Sequence, residues 1–277
     1  MNPEFEKKVI ADLEKSGFSS ELRAIRTFLS CGWGCSGFAN YFDLDQELIT
    51  GVDLYAWKDK EVHQERLRYG VQFRIDAEVK KSEKNPWILF KEKSDHVIDD
   101  HINNLTHICG LVPYDLRHPM AQDSAYSQLR WKAYGIHEGF KDPSAPSRSY
   151  SAMIKACKSA EYTLKASSAY YREFEEHSKD RGDDEHAYKV RFVVFVKPIV
   201  ILDGILLAAS LSDTGEISIE EIQFAPVQFD YKSKHCEKGI YLVDIVTVEG
   251  LKEYIRMSER RHQNIFDEVE HLALRAT

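Results

Sequence analysis

No uninterrupted apolar stretch in the 277 residues approaches the roughly 20 that a membrane-spanning helix needs, so no membrane partner is expected. The opening residues, Met1 to Lys15, read as the start of a charged amphipathic helix and not as a signal peptide. A disulfide framework is absent too. Five cysteines (Cys31, Cys35, Cys109, Cys157, Cys236) are an odd number without framework spacing, and a reduced, cytoplasmic setting is the expectation. Cys31 and Cys35 are not spaced for zinc, and the eleven histidines include no helical i, i+4 pair that suggests a metal site. No Walker loop, GxGxxG or GxSxG appears. Positive charge is also short: 37 lysines and arginines face 45 acidic residues, a net of −8 with a pI of about 5.8. Non-specific nucleic-acid binders are usually basic, because phosphate neutralisation supplies most of their affinity. A nucleic-acid role would therefore rest on a local basic patch or on an added surface, from a second copy of the chain or a protein partner.

What the chain does have is material for a core. Hydrophobic residues make up 43% and aromatics 12%, enough to exclude disorder. Phe5, Val9 and Leu13 recur at helical spacing, and Gly17 fits the position that stops such a helix. Ser19 and Ser20 are good caps for a second helix, whose buried face is expected at Leu22, Ile25 and Leu29. Glu21 falls in its first turn, where the helix dipole favours a carboxylate. The segment around Tyr41 and Phe42 reads as a strand, Asp43 to Gln46 as a turn, and Gly51 to Trp57 as a strand again. In that last strand Val52, Leu54 and Ala56 face one way, and Asp53, Tyr55 and Trp57 the other. A carboxylate in an otherwise apolar strand costs desolvation unless it is paired or binds a cation, so Asp53 needs a reason.

From Lys58 to Tyr69 the chain is charged and aperiodic, a long connection read as a protruding hairpin or a short helix. Then Val71 to Lys80, VQFRIDAEVK, alternates strictly: Val71, Phe73, Ile75, Ala77 and Val79 on one face, Gln72, Arg74, Asp76, Glu78 and Lys80 on the other. Period two marks a half-buried strand and puts Glu78 and Lys80 side by side. The pair reads either as a surface ion pair or as half of a metal-dependent phosphodiesterase site.

A helix with Glu21, a strand with Asp53, a strand with Glu78-Val79-Lys80 and a further strand from Trp87 to Phe90: over about residues 1 to 92 this order resembles the PD-(D/E)xK nuclease superfamily, the restriction-endonuclease-like fold. Two departures stand out. Gly51-Val52 replaces the proline that often precedes the motif aspartate, and the spacing from Asp53 to Glu78 is long. Glu6-Lys7-Lys8 also matches E-x-K, so the triplet is informative only with its strand and its upstream acids. The resemblance implies Asp53, Glu78 and the Val79 carbonyl as ligands of Mg²⁺, with Mn²⁺ as alternative, and Lys80 and Glu21 as catalytic partners. Mg²⁺ suits one or two carboxylates and several waters, and would polarise the phosphate and activate the attacking water. The implied function is hydrolysis of phosphodiester bonds, expected in DNA and in bacterial defence or repair. The alternative is a catalytically inactive nuclease-like subunit that binds or assembles within a larger complex.

Local charge fits a nucleic-acid partner. Lys58 to Lys93 holds ten basic and seven acidic residues, and Lys81, Lys84, Lys91 and Lys93 could track a phosphate backbone or form a solvated face. Beyond this core, Ser94 is expected to cap a helix through Leu105. Residues 104–123 read as irregular, 123–131 as a short helix, and Ser149 to His177 as a long helix with Met153, Cys157, Ala160 and Leu164 inward. The chain then turns β-rich. Lys189 to Lys197 reads as a buried strand, Pro198 as a bend, and Asp203-Gly204 as a hairpin turn between Ile199–Leu202 and Ile205–Leu207. Tyr241 to Val246 is a strand with Asp244 read as structural, and Thr247 caps a last helix. His235-Cys236 reads as a loop neighbour pair. With no composition shift or linker, one elaborated domain over 1–277 is expected, of α/β class. A central mixed β-sheet is flanked by helices, with a nuclease-like core (1–92), a mainly helical insertion (93–187) and a β-rich extension of the sheet with a C-terminal helix (188–277).

Overall fold

The computed structural model describes residues 2–64, 67–93, 105–111, 131–180 and 189–275. These form a mixed α/β fold, a central nine-stranded mixed sheet flanked by four helices. The chain opens with α1 (Pro3–Ser16) and α2 (Phe18–Ser30), separated by Gly17 at φ 89°, a left-handed value that glycine adopts without strain. An antiparallel trio follows: β1 (Gly34–Asp43), β2 (Leu48–Gln64) and β3 (Leu67–Lys93). Next come β4 (Thr106–Cys109), β5 (Trp131–Glu138) and the long α3 (Arg148–Asp180). The last part is β6 (Lys189–Leu211), β7 (Ile217–Glu221), β8 (Phe224–Tyr231), β9 (Gly239–Thr247) and α4 (Leu251–Arg275).

β3 and β6 are the spine. They run parallel from Leu67↔Lys189 to Phe90↔Ala209. Parallel neighbours need a long crossover, and α3 lies within it. β2 and β1 extend the sheet from the first half of β3, while its second half pairs with β5. β6 pairs with β9, β9 with β8, and β8 meets β5 through Ala133↔Val227, so these strands return to β3. Successive residues of β6 enter opposite cores. Val193, Phe195, Ile199 and Ile201 pack with α2 and α4, and Val194, Val196, Val200 and Leu202 with α3. A strand covered on both faces reads as a continuous apolar run, as this one does.

The structure corrects several local expectations. β3 is buried on both faces: its apolar face meets α2 and α4, and Arg74, Asp76 and Glu78 on the polar face are buried as well. α3 covers them, which alternation within one strand could not announce. The strand of Val71 to Lys80 and the further strand from Trp87 to Phe90 are one strand, joined through Asn85-Pro86. That dipeptide belongs to a bulge between Ser82 and Trp87, after which β3 continues to Lys93. Asp203-Gly204 is not a hairpin turn, and Pro198 does not break the strand; β6 runs through both. Pro198 lies between the last residue paired with β4, Phe195, and the first paired with β9, Ile199, where a missing N–H disturbs neither ladder. A Cβ at residue 204 would stand 2.4 Å from the Ser82 carbonyl oxygen, so glycine answers a close backbone approach there.

The N-terminal helices also differ from expectation. α1 buries no residue, and Phe5, Val9 and Leu13 are exposed. α2 buries Ser20, Ala24 and Phe28, with Ile25 half-buried, and leaves Leu22 and Leu29 in solvent. Its small residues allow an approach to the sheet that leucines would hold off. The charged connection is the arm of a hairpin, since β2 and β3 pair out to Gln64↔Leu67. β4 is a strand where irregular chain was expected, and β5 is a strand in a stretch for which no element was expected. The helices expected from Ser94 to Leu105 and over 123–131 fall almost wholly outside the described residues. α3, β9 and α4 match their expected positions.

Candidate functional site

Antiparallel pairing of β2 with β3 reaches Leu54↔Ala77, which brings Asp53 against Glu78 and Val79. Asp53 Oδ2 accepts the Val79 amide at 2.8 Å, a bond that fixes the carboxylate at the end of the ladder. Lys80 lies two residues beyond Glu78 on the same face. Its Nζ donates to Glu78 Oε2 at 2.7 Å, to the Val79 carbonyl at 3.1 Å and to Asp53 Oδ2 at 3.2 Å. Three oxygens from two strands thus converge on one positive atom.

Glu21 reaches the same place from the first turn of α2. Its neighbours set the helix: Ser20 and Arg23 both bond Asp203 of β6, the latter at 2.6 Å. Glu21, Asp53, Val79 and Lys80 line one cavity of about 620 Å³. Glu78, 0% exposed, is not among the residues that line it and joins the group through its bond to the Lys80 ammonium, so all four side chains expected for the site lie together, with the Val79 carbonyl among them.

The electrostatics follow from crowding of like charge. Burial drives the Glu78 carboxyl above its ordinary value, Lys80 opposing and Asp53 adding to the rise. Glu21 is likewise raised, by burial first and then by the Asp53 charge. For Lys80 burial pulls downward, but the Glu78 and Asp53 charges outweigh it and the net shift is upward. Two buried oxygens, Glu78 Oε1 and Glu21 Oε2, have no hydrogen-bond partner. Such orphaned acceptors beside a carboxylate pair fit a hard cation and its waters. Among the described residues no group of three or more His, Cys, Asp or Glu is placed to hold a metal. Asp53, Glu78 and the Val79 carbonyl are a sparser set, two carboxylates and a carbonyl, of the kind that could hold Mg²⁺ only with several waters.

Two contributions were not legible in the sequence. Lys155 of α3 places its half-exposed ammonium 3.8 Å from Glu78 Oε2. Its position is set one and two turns further along the helix, where Ser159 and Thr163 bond Asp76, which precedes Glu78 by one pleat. The other is the Ser82–Asn85 bulge. Ser82 Oγ donates to the Asn85 carbonyl at 2.7 Å, and Asn85 Nδ2 to the Gly139 carbonyl at 2.7 Å. No sequence signal beyond Asn-Pro marked that bulge.

Of the lysines that could track a phosphate backbone, Lys81 is spent on the Glu14 carbonyl at 2.7 Å and on Glu83 at 2.7 Å. Lys91 pairs with Glu220 and lies over the Trp131 ring. Lys84 alone of the four faces the cavity free of an ion pair; the Lys93 side chain is outside the described residues. Asp244 serves structure, between Lys197 at 3.1 Å and the Tyr254 hydroxyl at 2.8 Å. His235 is buried, its Nδ1 accepting the Leu44 amide at 3.1 Å.

Comparison with protein-family models, curated proteins and solved structures found no match to the chain.

Proposed function

We propose that the chain is a Mg²⁺-dependent nuclease, Mn²⁺ substituting, that hydrolyses phosphodiester bonds in DNA at the Asp53–Glu78–Lys80 cluster. The observation that carries this reading is the convergence of Asp53 Oδ2, Glu78 Oε2 and the Val79 carbonyl within 3.2 Å of the Lys80 ammonium. Oxygens so gathered around a positive charge suit a cation, and the unpartnered Glu78 Oε1 adds an acceptor. A divalent ion bound there would polarise the scissile phosphate and lower the pKa of the attacking water.

The protein's part is positional. Asp53 and Glu78 would hold the ion from neighbouring strands, and the Asp53–Val79 bond keeps the first carboxylate aimed. Lys80, exchanged from carboxylate to phosphate, donates to an oxygen on which charge builds in the transition state. Glu21, its proton affinity raised, orients the water and takes up its proton.

The test is incubation of plasmid and single-stranded DNA with Mg²⁺, Mn²⁺ or EDTA, beside Asp53→Ala and Lys80→Ala. Cleavage should require the metal and fall by about 100-fold or more in each variant, the scale for lost transition-state stabilisation. Equal cleavage by wild type and both variants would reject the site. DNA binding without turnover under every condition would favour the non-catalytic subunit.

A further inference from the structure

The cavity in front of the site carries cations that the cluster itself does not use. Lys84 stands on the bulge that opens two residues after Lys80, and bulges beside active sites commonly re-aim a side chain. This bulge is pinned twice more at its far end: the Gly139 amide donates to the Pro86 carbonyl at 2.8 Å, and Asn85 reaches the Gly139 carbonyl. Arg148 comes from another element. It opens α3, whose first turn is anchored because Glu138 Oε1 accepts the Ser149 amide at 2.9 Å and the Ser147 hydroxyl at 2.8 Å. Both residues line the same cavity as Asp53 and Lys80, as does Lys15 of α1, and Glu14 and Glu83 line it too. Among the described residues none of these three cations has an ion-pair or hydrogen-bond partner for its charged group. By contrast Lys81, between them, is neutralised by Glu83.

Unpaired cations presented by separately anchored elements into one concavity point to an anionic ligand, and Arg is suited to a phosphate through its fork of donors. Lys84 follows Lys80 by four positions, at most roughly 13 Å at an extended rise of about 3.3 Å per residue. We infer that Lys84 and Arg148, with Lys15, form a clamp for the phosphate next to the scissile one on the same nucleic-acid strand. This assignment rests on the nuclease reading. It makes the preferred substrate a strand bearing a flanking phosphate, and it makes Lys84 and Arg148 binding residues for substrate choice.

Two short probes test it: dithymidine with a single internal phosphodiester (TpT), and the same molecule with phosphates on both ends (pTpTp). Equilibrium binding is measured in EDTA, and turnover in Mg²⁺, for wild type and for Lys84→Ala/Arg148→Ala, both exposed positions. Wild type should prefer pTpTp over TpT by about tenfold or more in binding and in kcat/KM, the scale of one or two charge-assisted bonds. The double variant should bring that ratio close to one. A ratio that is unchanged in the variant, or already near one in wild type, overturns the clamp. Turnover of both probes without such a ratio would leave the nuclease standing and remove the clamp. Binding that prefers pTpTp and loses the preference in the variant, with no turnover in either, would keep the clamp and remove the nuclease.

Discussion

Replacing Asp76 with asparagine should stabilise the protein above pH 6 and change it little near pH 4. Asp76 is 1% exposed on the face of β3 that α3 covers. Its Oδ1 accepts from the Ser159 and Thr163 hydroxyls, and its Oδ2 has no partner. Burial therefore pushes its carboxyl from 3.8 to about 6, the two hydroxyls and the Arg74 charge offsetting only part of the penalty. Between those values the folded chain holds a proton that the unfolded chain has released. Stability then falls as pH rises through the window and levels off above it. At about 1.4 kcal/mol per tenfold difference, the ionised side chain costs about 3 kcal/mol at neutral pH. Asparagine keeps an oxygen for the two hydroxyls and carries no charge. Urea unfolding from about pH 4 to about pH 8, in EDTA so that no cation sits on Glu78, gives the difference directly. The variant should gain about 2–3 kcal/mol across that range. A difference that stays constant with pH would refute the assignment of a buried, ionising carboxyl at Asp76.

Two further outcomes follow from contacts around the site. Lys80→Met removes three hydrogen bonds and leaves the buried Glu78 with only Lys155 at 3.8 Å; without metal it should lose about 3–5 kcal/mol in urea unfolding. Mg²⁺ or Mn²⁺ should restore part of that loss, and calorimetry should show the variant binding metal more tightly than wild type, because the ammonium holds the same oxygens; weaker binding would contradict that competition. Gly204→Ala should destabilise by about 1–3 kcal/mol and lower metal affinity, since the added carbon meets the Ser82 carbonyl two residues from Lys80; unchanged unfolding would show that the two strands can part there at no cost.

Why part of the site was legible from residues and part was not comes down to the range of each interaction. Glu78 and Lys80 share a face because a strand has period two, a relation contained in three consecutive residues. Asp53 was marked by its own cost, a carboxylate in an apolar strand, and β2–β3 pairing is the local solution that brings it to Glu78. The cover over Arg74, Asp76 and Glu78 had no such signature. It comes from Ser159 and Thr163, more than 80 positions along the chain, whose hydroxyls read as ordinary helix surface until Asp76 is opposite them. Lys155 was hidden for the same reason. The errors in α2 and at Asp203-Gly204 share a different cause, in which a local preference is real but outweighed. Leu22 and Leu29 form the more apolar stripe, yet Ser20 and Ala24 win the buried position because α2 must lie close enough for Ser20 and Arg23 to bond Asp203. Asp203 and Gly204 have the composition of a turn, yet one carries that α2 anchor and the other makes room for Ser82. Asp203 and Gly204 thus break their local rule at contacts beside the segments that carry Glu21 and Lys80, where tertiary packing outweighs turn preference.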